Sequence, residues 1–248
     1  MLLKQKTAVI TGCNRGIGKA TLETFAKNGA DIFACVRKES DEFTDVMTKL
    51  KAKTGISITP VYFDFTESEQ VKAGIKTIIS YKKQIDILVN NAGVASGSLF
   101  QMTSLQDLKN LFEINFFSQL LFTQGISRYM SRFKTGSIIN IGSTAGFIGS
   151  AGMTSYGSSK AALMFSTKTM ATELGVMNIR VNAIAPSITK TDMSDQMEEK
   201  IRNKHLETSA LKRTAGPIEV ANVTLFLASD LSTFVTEQIL RVYGGLTT

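Results

Sequence analysis

Seven short apolar runs, separated by segments of helical periodicity, constrain this chain more than any other feature. They are Thr7–Thr11 (TAVIT), Asp31–Val36 (DIFACV), SITPVYF from Ser57, IDILVN from Ile85, GSIINIGS from Gly136, IRVNAIAP from Ile179 and QILRVYGG from Gln238. Between them, helical spacing is expected around Leu22, Phe25 and Ala26, in a polar stretch ending near Lys53, and over Glu67–Tyr81, Ser104–Phe133, Thr154–Gly175 and Glu219–Ala228. Strands that are apolar throughout need cover on both faces, and strands joined by helices run parallel. The pattern predicts an α/β fold, a doubly wound Rossmann-type sheet of seven parallel strands with helices on both faces. At 248 residues, one domain spanning 1–248 accommodates all of it. Such sheets bind ligands beyond the carboxyl ends of their strands, where strand order reverses, so unusual residues at those ends carry the functional information.

Composition narrows the classes. The N-terminal MLLKQK breaks any apolar run too early for a secretory signal, and no later run approaches the ~18 residues needed to span a bilayer. The two cysteines, Cys13 and Cys35, with the single His205, supply neither a disulfide framework nor a metal shell, so no metal is expected and a reducing, cytoplasmic setting is the simplest. The net charge of +7 is scattered and accompanied by no nucleic-acid motif. It suits an anionic small molecule or an acidic carrier protein better.

The first run passes directly into TGCNRGIG, placing Gly12, Gly16 and Gly18 at the start of a helix. Glycines there permit a tight turn and let backbone N–H groups approach an anion. In the first βα unit, this turn predicts a dinucleotide site. Sites for NAD carry an acidic residue at the end of the second strand for the ribose 2′-hydroxyl. Here that end reads CVRKES, with Arg37 and Lys38 in the acid's place and Arg15 within the glycine turn. Three cations that can pair with a 2′-phosphate point to NADP(H), against a reading of Arg37 and Lys38 as solvated loop charges. Cys13 beside Arg15 and a helix start is either a reactive thiolate or a small inert residue.

The fifth run ends at Ser143, and thirteen residues later come Tyr156 and, four further on, Lys160. On a helix, residues four apart share a face. A free phenol, with pKa ~10, is a poor acid or base at neutral pH, and a nearby ammonium is expected to lower that value. Ser143 can polarise a carbonyl oxygen, so the three residues suit a ketone–alcohol interconversion.

Taken together, TGCNRGIG (Thr11–Gly18), NNAG (Asn90–Gly93), Ser143 and YGSSK (Tyr156–Lys160) resemble the short-chain dehydrogenase/reductase family over essentially the whole chain. The resemblance implies a catalytic set of Asn115, Ser143, Tyr156 and Lys160, with Asn115 holding a water in a proton relay to the lysine. Asn115 lies on the apolar stripe of Leu108, Leu111 and Phe112, where a satisfied buried amide is the plainer reading. It further implies NADP(H) contacts from Gly12, Asn14, Arg15, Gly16, Ile17, Gly18, Arg37, Lys38, Asp64, Asn91, Ala92, Gly93, Tyr156, Lys160, Pro186, Thr189 and Thr191.

Within the family the chain is most similar to the 3-oxoacyl-[acyl-carrier-protein] reductases, through TGCNRGIGKA, INFFSQLLFTQ, IRVNAIAPSITKTDM and PIEVANVTLFLASD. It departs from them at Ser187, Thr189, Glu237 and Tyr243. It also has Thr172 in place of one of two carrier-contacting arginines, the other position being Arg128. Reduction of another carbonyl, on a sugar derivative or a small ketone, stands as the alternative. A dinucleotide sensor is a further alternative, disfavoured because all four catalytic positions are retained.

A substrate lid is expected over Thr189–Leu211, with His205 on its surface. Phe116, Phe117, Phe122, Phe165 and Met170 exceed what one sheet face can bury, and the family pairs these helices, so a homotetramer or dimer is expected.

Overall fold

The structure, a computed structural model, describes residues 1–191, 194, 203 and 206–246. Its strands are β1 (Thr7–Thr11), β2 (Asp31–Val36), β3 (Ile58–Tyr62), β4 (Ile87–Asn90), β5 (Gly136–Ile141), β6 (Ile179–Pro186) and β7 (Ile239–Val242). They form one seven-stranded sheet in the order β3-β2-β1-β4-β5-β6-β7, and every pairing is parallel. Strand order reverses between β1 and β4. Pro60, which cannot donate to a ladder, lies in β3 at the sheet's edge, where one side of the strand needs no partner.

The helices are α1 (Gly16–Lys27), α2 (Asp41–Thr54), α3 (Ser68–Ser80), α4 (Leu105–Phe112), α5 (Ser118–Met130), α6 (Thr154–Gly175) and α7 (Pro217–Ala228). Helix α2 shows how local chemistry sets the bounds. The Ser40 hydroxyl accepts from Phe43 N at its start, and Gly55 closes it in the left-handed region at φ 72°. On one face of the sheet, Leu22 and Phe25 of α1, Phe43 of α2 and Val220 and Leu227 of α7 pack on Ile10, Ala34 and Ile139. On the other, Ile75 of α3 and Phe122 and Ile126 of α5 cover Val9, Leu88 and Ile138.

Two sequence expectations are corrected, and one noted departure from the family takes on a structural meaning. The continuous helix expected over Ser104–Phe133 is two α-helices joined by a π-helical turn, Glu113–Phe117. The wider turn changes the angular phase between α4 and α5, and Asn115 sits at its centre. Phe122 contributes no surplus apolar surface. It is fully buried, with its ring 5.3 Å from that of Phe63 and 5.9 Å from that of Phe65. By contrast, Phe117 (52% exposed) and Phe165 (71% exposed) do face outward. Finally, Glu237 occupies a left-handed conformation at φ 66°, with its N–H donating to Val181 O. That region favours glycine, so this departure from the family pattern carries backbone strain.

Candidate active site

The carboxyl ends of β1 and β4 are fastened together by side chains. Thr11 Oγ1 donates to Val89 O (3.3 Å) and accepts from the backbone N–H groups of Asn91 and Ala92 (both 3.0 Å). Asn91 Nδ2 donates in turn to the carbonyls of Thr11 (3.0 Å) and Gly12 (2.9 Å). Gly12 has φ 65°, and a Cβ there would meet Ala92 Cα at 2.8 Å. A Cβ on Gly18 would meet Gly12 O at 2.1 Å, so this turn closes only with glycines.

Helix α1 starts here without a side-chain capping bond and without an acidic residue in its first turn. Its N–H groups and dipole suit a phosphate. Asn14 and Arg15 are exposed around the turn, and Ile17 is half-buried on the first core layer. Arg37 and Lys38 are exposed at the end of β2. Asp64, half-buried beyond β3, accepts from Thr66 N (2.9 Å). From the far side, Thr191 comes within 3.1 Å of the position a Gly16 Cβ would take. Buried Thr189 donates to Ser187 O, and Pro186 O accepts from Thr144 Oγ1. The residues present therefore fit a dinucleotide laid along the ends of β1, β2, β4 and β6.

The candidate catalytic residues Ser143, Tyr156 and Lys160 gather at the end of β5. Ser143 caps a short 3-10 turn, its hydroxyl accepting from Ala145 N at 3.1 Å, and it stands near enough to the Tyr156 phenol to influence its pKa. Lys160 is buried, and its ammonium donates to Ile141 O at 2.8 Å. Burial lowers its pKa to about 8. A Cβ at Gly93 would lie 3.4 Å from Lys160 Nζ and 3.1 Å from Asn115 Oδ1, so a side chain there would crowd the Asn115 amide. Asn115 is fully buried. It accepts from Val94 N (2.9 Å) and donates to Val94 O (2.9 Å) and Ser159 Oγ (3.1 Å).

Two loops leave this cluster, one after Gly93 and one after Ser143, and Ser98 N donates to Gly152 O (3.1 Å) between them. Neither Val94–Leu99 nor Ala145–Thr154 contains a charged residue.

Residues 6–202 match the family model for the short chain dehydrogenases. A 3-oxoacyl-[acyl-carrier-protein] reductase of Thermotoga maritima is 38% identical over 246 residues, 99% of each chain. The chain belongs to the short-chain dehydrogenase/reductase family. A reductase of the same name from Aquifex aeolicus is 35% identical over 244 residues, 98% of each chain. Among solved structures, a 7α-hydroxysteroid dehydrogenase complexed with NADH and 7-oxo glycochenodeoxycholic acid superimposes with a TM-score of 0.93 at 34% identity, over 99% of this chain and 95% of that one. This family member is an oxidoreductase acting on CH–OH/C=O groups with a nicotinamide dinucleotide.

Two chemical expectations about this dehydrogenase/reductase change. Tyr156 does not have a lysine-lowered pKa in the structure. Burial raises it above the usual phenol value, the nearby Ser143 hydroxyl opposes that only in part, and Lys160 is turned to Ile141 O. Cys13 is not a reactive thiolate. It is fully buried, its thiol donates to Cys35 O, and burial pushes its pKa up to about 12. Its side chain packs in the first core layer rather than facing the turn's anion side.

The sequence-read positions lie around the carboxyl ends of the strands, and the lid's 192, 193, 195–202, 204 and His205 lie outside the described residues. Sequence reasoning overlooked Thr11, the clamp between β1 and β4, and Gln119, which donates to Ala92 O at 2.6 Å.

Proposed function

We propose that this chain is an NADPH-dependent carbonyl reductase that converts 3-oxoacyl thioesters to 3-hydroxyacyl thioesters, as one catalytic domain in the cytoplasm. The observation that carries the reading is the convergence of Ser143 at the end of β5 with Tyr156 and, one helical turn on, the buried Lys160 ammonium that donates to Ile141 O, beside the glycine turn. When bound, the nicotinamide supplies hydride to the carbonyl carbon. Ser143 and Tyr156 hold the carbonyl oxygen with their hydroxyls, and Tyr156 donates its proton as charge develops there. The phenol, its pKa raised further by burial, is protonated at neutral pH, the form a reduction needs. Lys160, still charged at neutral pH, stabilises the phenolate left behind and binds the nicotinamide ribose. Asn115 positions the Val94 backbone beside them and relays protons through water to the lysine.

Arg15, Arg37 and Lys38, with no acid before Glu39, support NADPH over NADH. The remaining family contacts, from Asn14, Ile17, Asp64, Asn91, Ala92, Pro186, Thr189 and Thr191, complete the cofactor site. The uncharged loops around Tyr156 suit an acyl chain, and exposed Arg128 suits an acidic carrier. The likeness to a hydroxysteroid dehydrogenase favours a second reading, reduction of a free ketone. Both cysteines are free thiols, in keeping with a cytoplasmic setting. Exposed Phe117 and Phe165 support self-association into a tetramer or dimer.

Four outcomes are expected. Across a panel of acyl thioesters, simple ketones and nucleotide sugars followed by NADPH absorbance, acyl thioesters should turn over fastest. On the best substrate, Tyr156→Phe should lower kcat by about 10²–10⁴-fold while NADPH still binds; near wild-type turnover would reject the mechanism. Arg37→Asp should weaken NADPH by about ten- to a hundredfold and NADH far less; a wild-type protein already preferring NADH would reject the cofactor assignment. Light scattering at micromolar protein should give a multiple of the 27.0 kDa chain mass, a monomer mass being the contrary result.

A further inference from the structure

Gln119 sits near the start of α5, fully enclosed, on a helix whose other inward side chains include Phe122 and Ile126. Its amide is only half satisfied. Nε2 donates to Ala92 O at 2.6 Å, while Oε1 is buried and accepts no hydrogen bond from the described residues. A buried amide with an unpaired carbonyl costs stability, and an apolar side chain of similar size would avoid that cost. Stability alone therefore does not explain a glutamine here.

Its one bond gives another reason. Ala92 is the residue whose N–H is held by Thr11 and whose Cα packs against bare Gly12. One turn earlier, Asn115 grips the backbone of Val94 in the same way. The two amides thus hold the carbonyls on either side of Gly93 from the interior, while Thr11 and Asn91 hold the same segment from the β1 side. The π-helical turn Glu113–Phe117 is where the chain carries these side chains toward β4.

We propose that Gln119 is a positioning residue that fixes the Ala92–Gly93 turn against Gly12 and so sets cofactor affinity, at the expense of fold stability. The inference rests on dinucleotide binding at the glycine turn. The test compares wild type with Gln119→Leu and Gln119→Met, the second matching the unbranched shape, by NADPH fluorescence titration, thermal unfolding and steady-state kinetics. In both variants the NADPH Kd should rise about tenfold, the worth of one lost hydrogen bond. The unfolding midpoint should stay level or rise, and kcat at saturating NADPH should fall by less than about threefold. Affinity within about twofold of wild type in both variants would overturn the proposal. So would a midpoint that falls in step with affinity in both, since Gln119 would then be only a packing element. The wild-type titration with NADPH and NADH tests the cofactor assignment separately. Should NADH bind tighter, that assignment fails and the Gln119 comparison is read with NADH.

Discussion

A buried ammonium is the constraint on which the site depends. Lys160 is 4% exposed and gives its charge to one backbone carbonyl, that of Ile141. With its pKa lowered from 10.5 to about 8, enclosing the charged form costs about 3 kcal/mol at neutral pH. The unfolded chain holds this proton up to higher pH, so the penalty is fully present below pH ~8 and fades as pH rises toward ~10.5. The surrounding architecture offsets it. Gly93 leaves room for the Asn115 amide, that amide fixes the backbone beyond Gly93, and α6 delivers Lys160 one turn from Tyr156.

The same segment joins the two halves of the site. Residues 90–94 end β4, close the gap to β1 through Thr11 and Asn91, and receive Asn115 and Gln119 from the interior. Below them, Asn90 Nδ2 donates to Thr123 Oγ1 and Asn140 Oδ1, and Asn140 Nδ2 donates to Thr167 Oγ1. A polar seam therefore runs from the sheet's switch point between β4, β5, α5 and α6. It places the glycine turn and the Tyr156 cluster in fixed relation, which a transfer between cofactor and substrate requires.

Much of this was legible in the sequence because each element is locally determined. Continuous apolar runs such as TAVIT and IRVNAIAP give strands covered on both faces, and Gly12, Gly16 and Gly18 mark a turn that tolerates no side chain. Other features depend on what surrounds a residue. The spacing of Tyr156 and Lys160 gives a shared helix face but not the burial that raises one pKa and lowers the other. Cys13 lies in the glycine turn by sequence, yet its thiol faces the core. The π-helical turn at Asn115 left no trace in a periodicity read as one continuous helix. Gln119 was hidden because its bond is to a backbone carbonyl that only the fold brings near.

We propose that an ammonium held near its titration point anchors the cofactor and the proton donor together. The most direct test is the NADPH Kd between about pH 6.5 and 10, measured in wild type, Tyr156→Phe and Lys160→Met. Affinity should be constant below pH ~8 and weaken above it in wild type and in Tyr156→Phe, since that limb belongs to Lys160. In Lys160→Met it should be weak and level throughout. A wild-type affinity unchanged to about pH 9.5 would contradict the account.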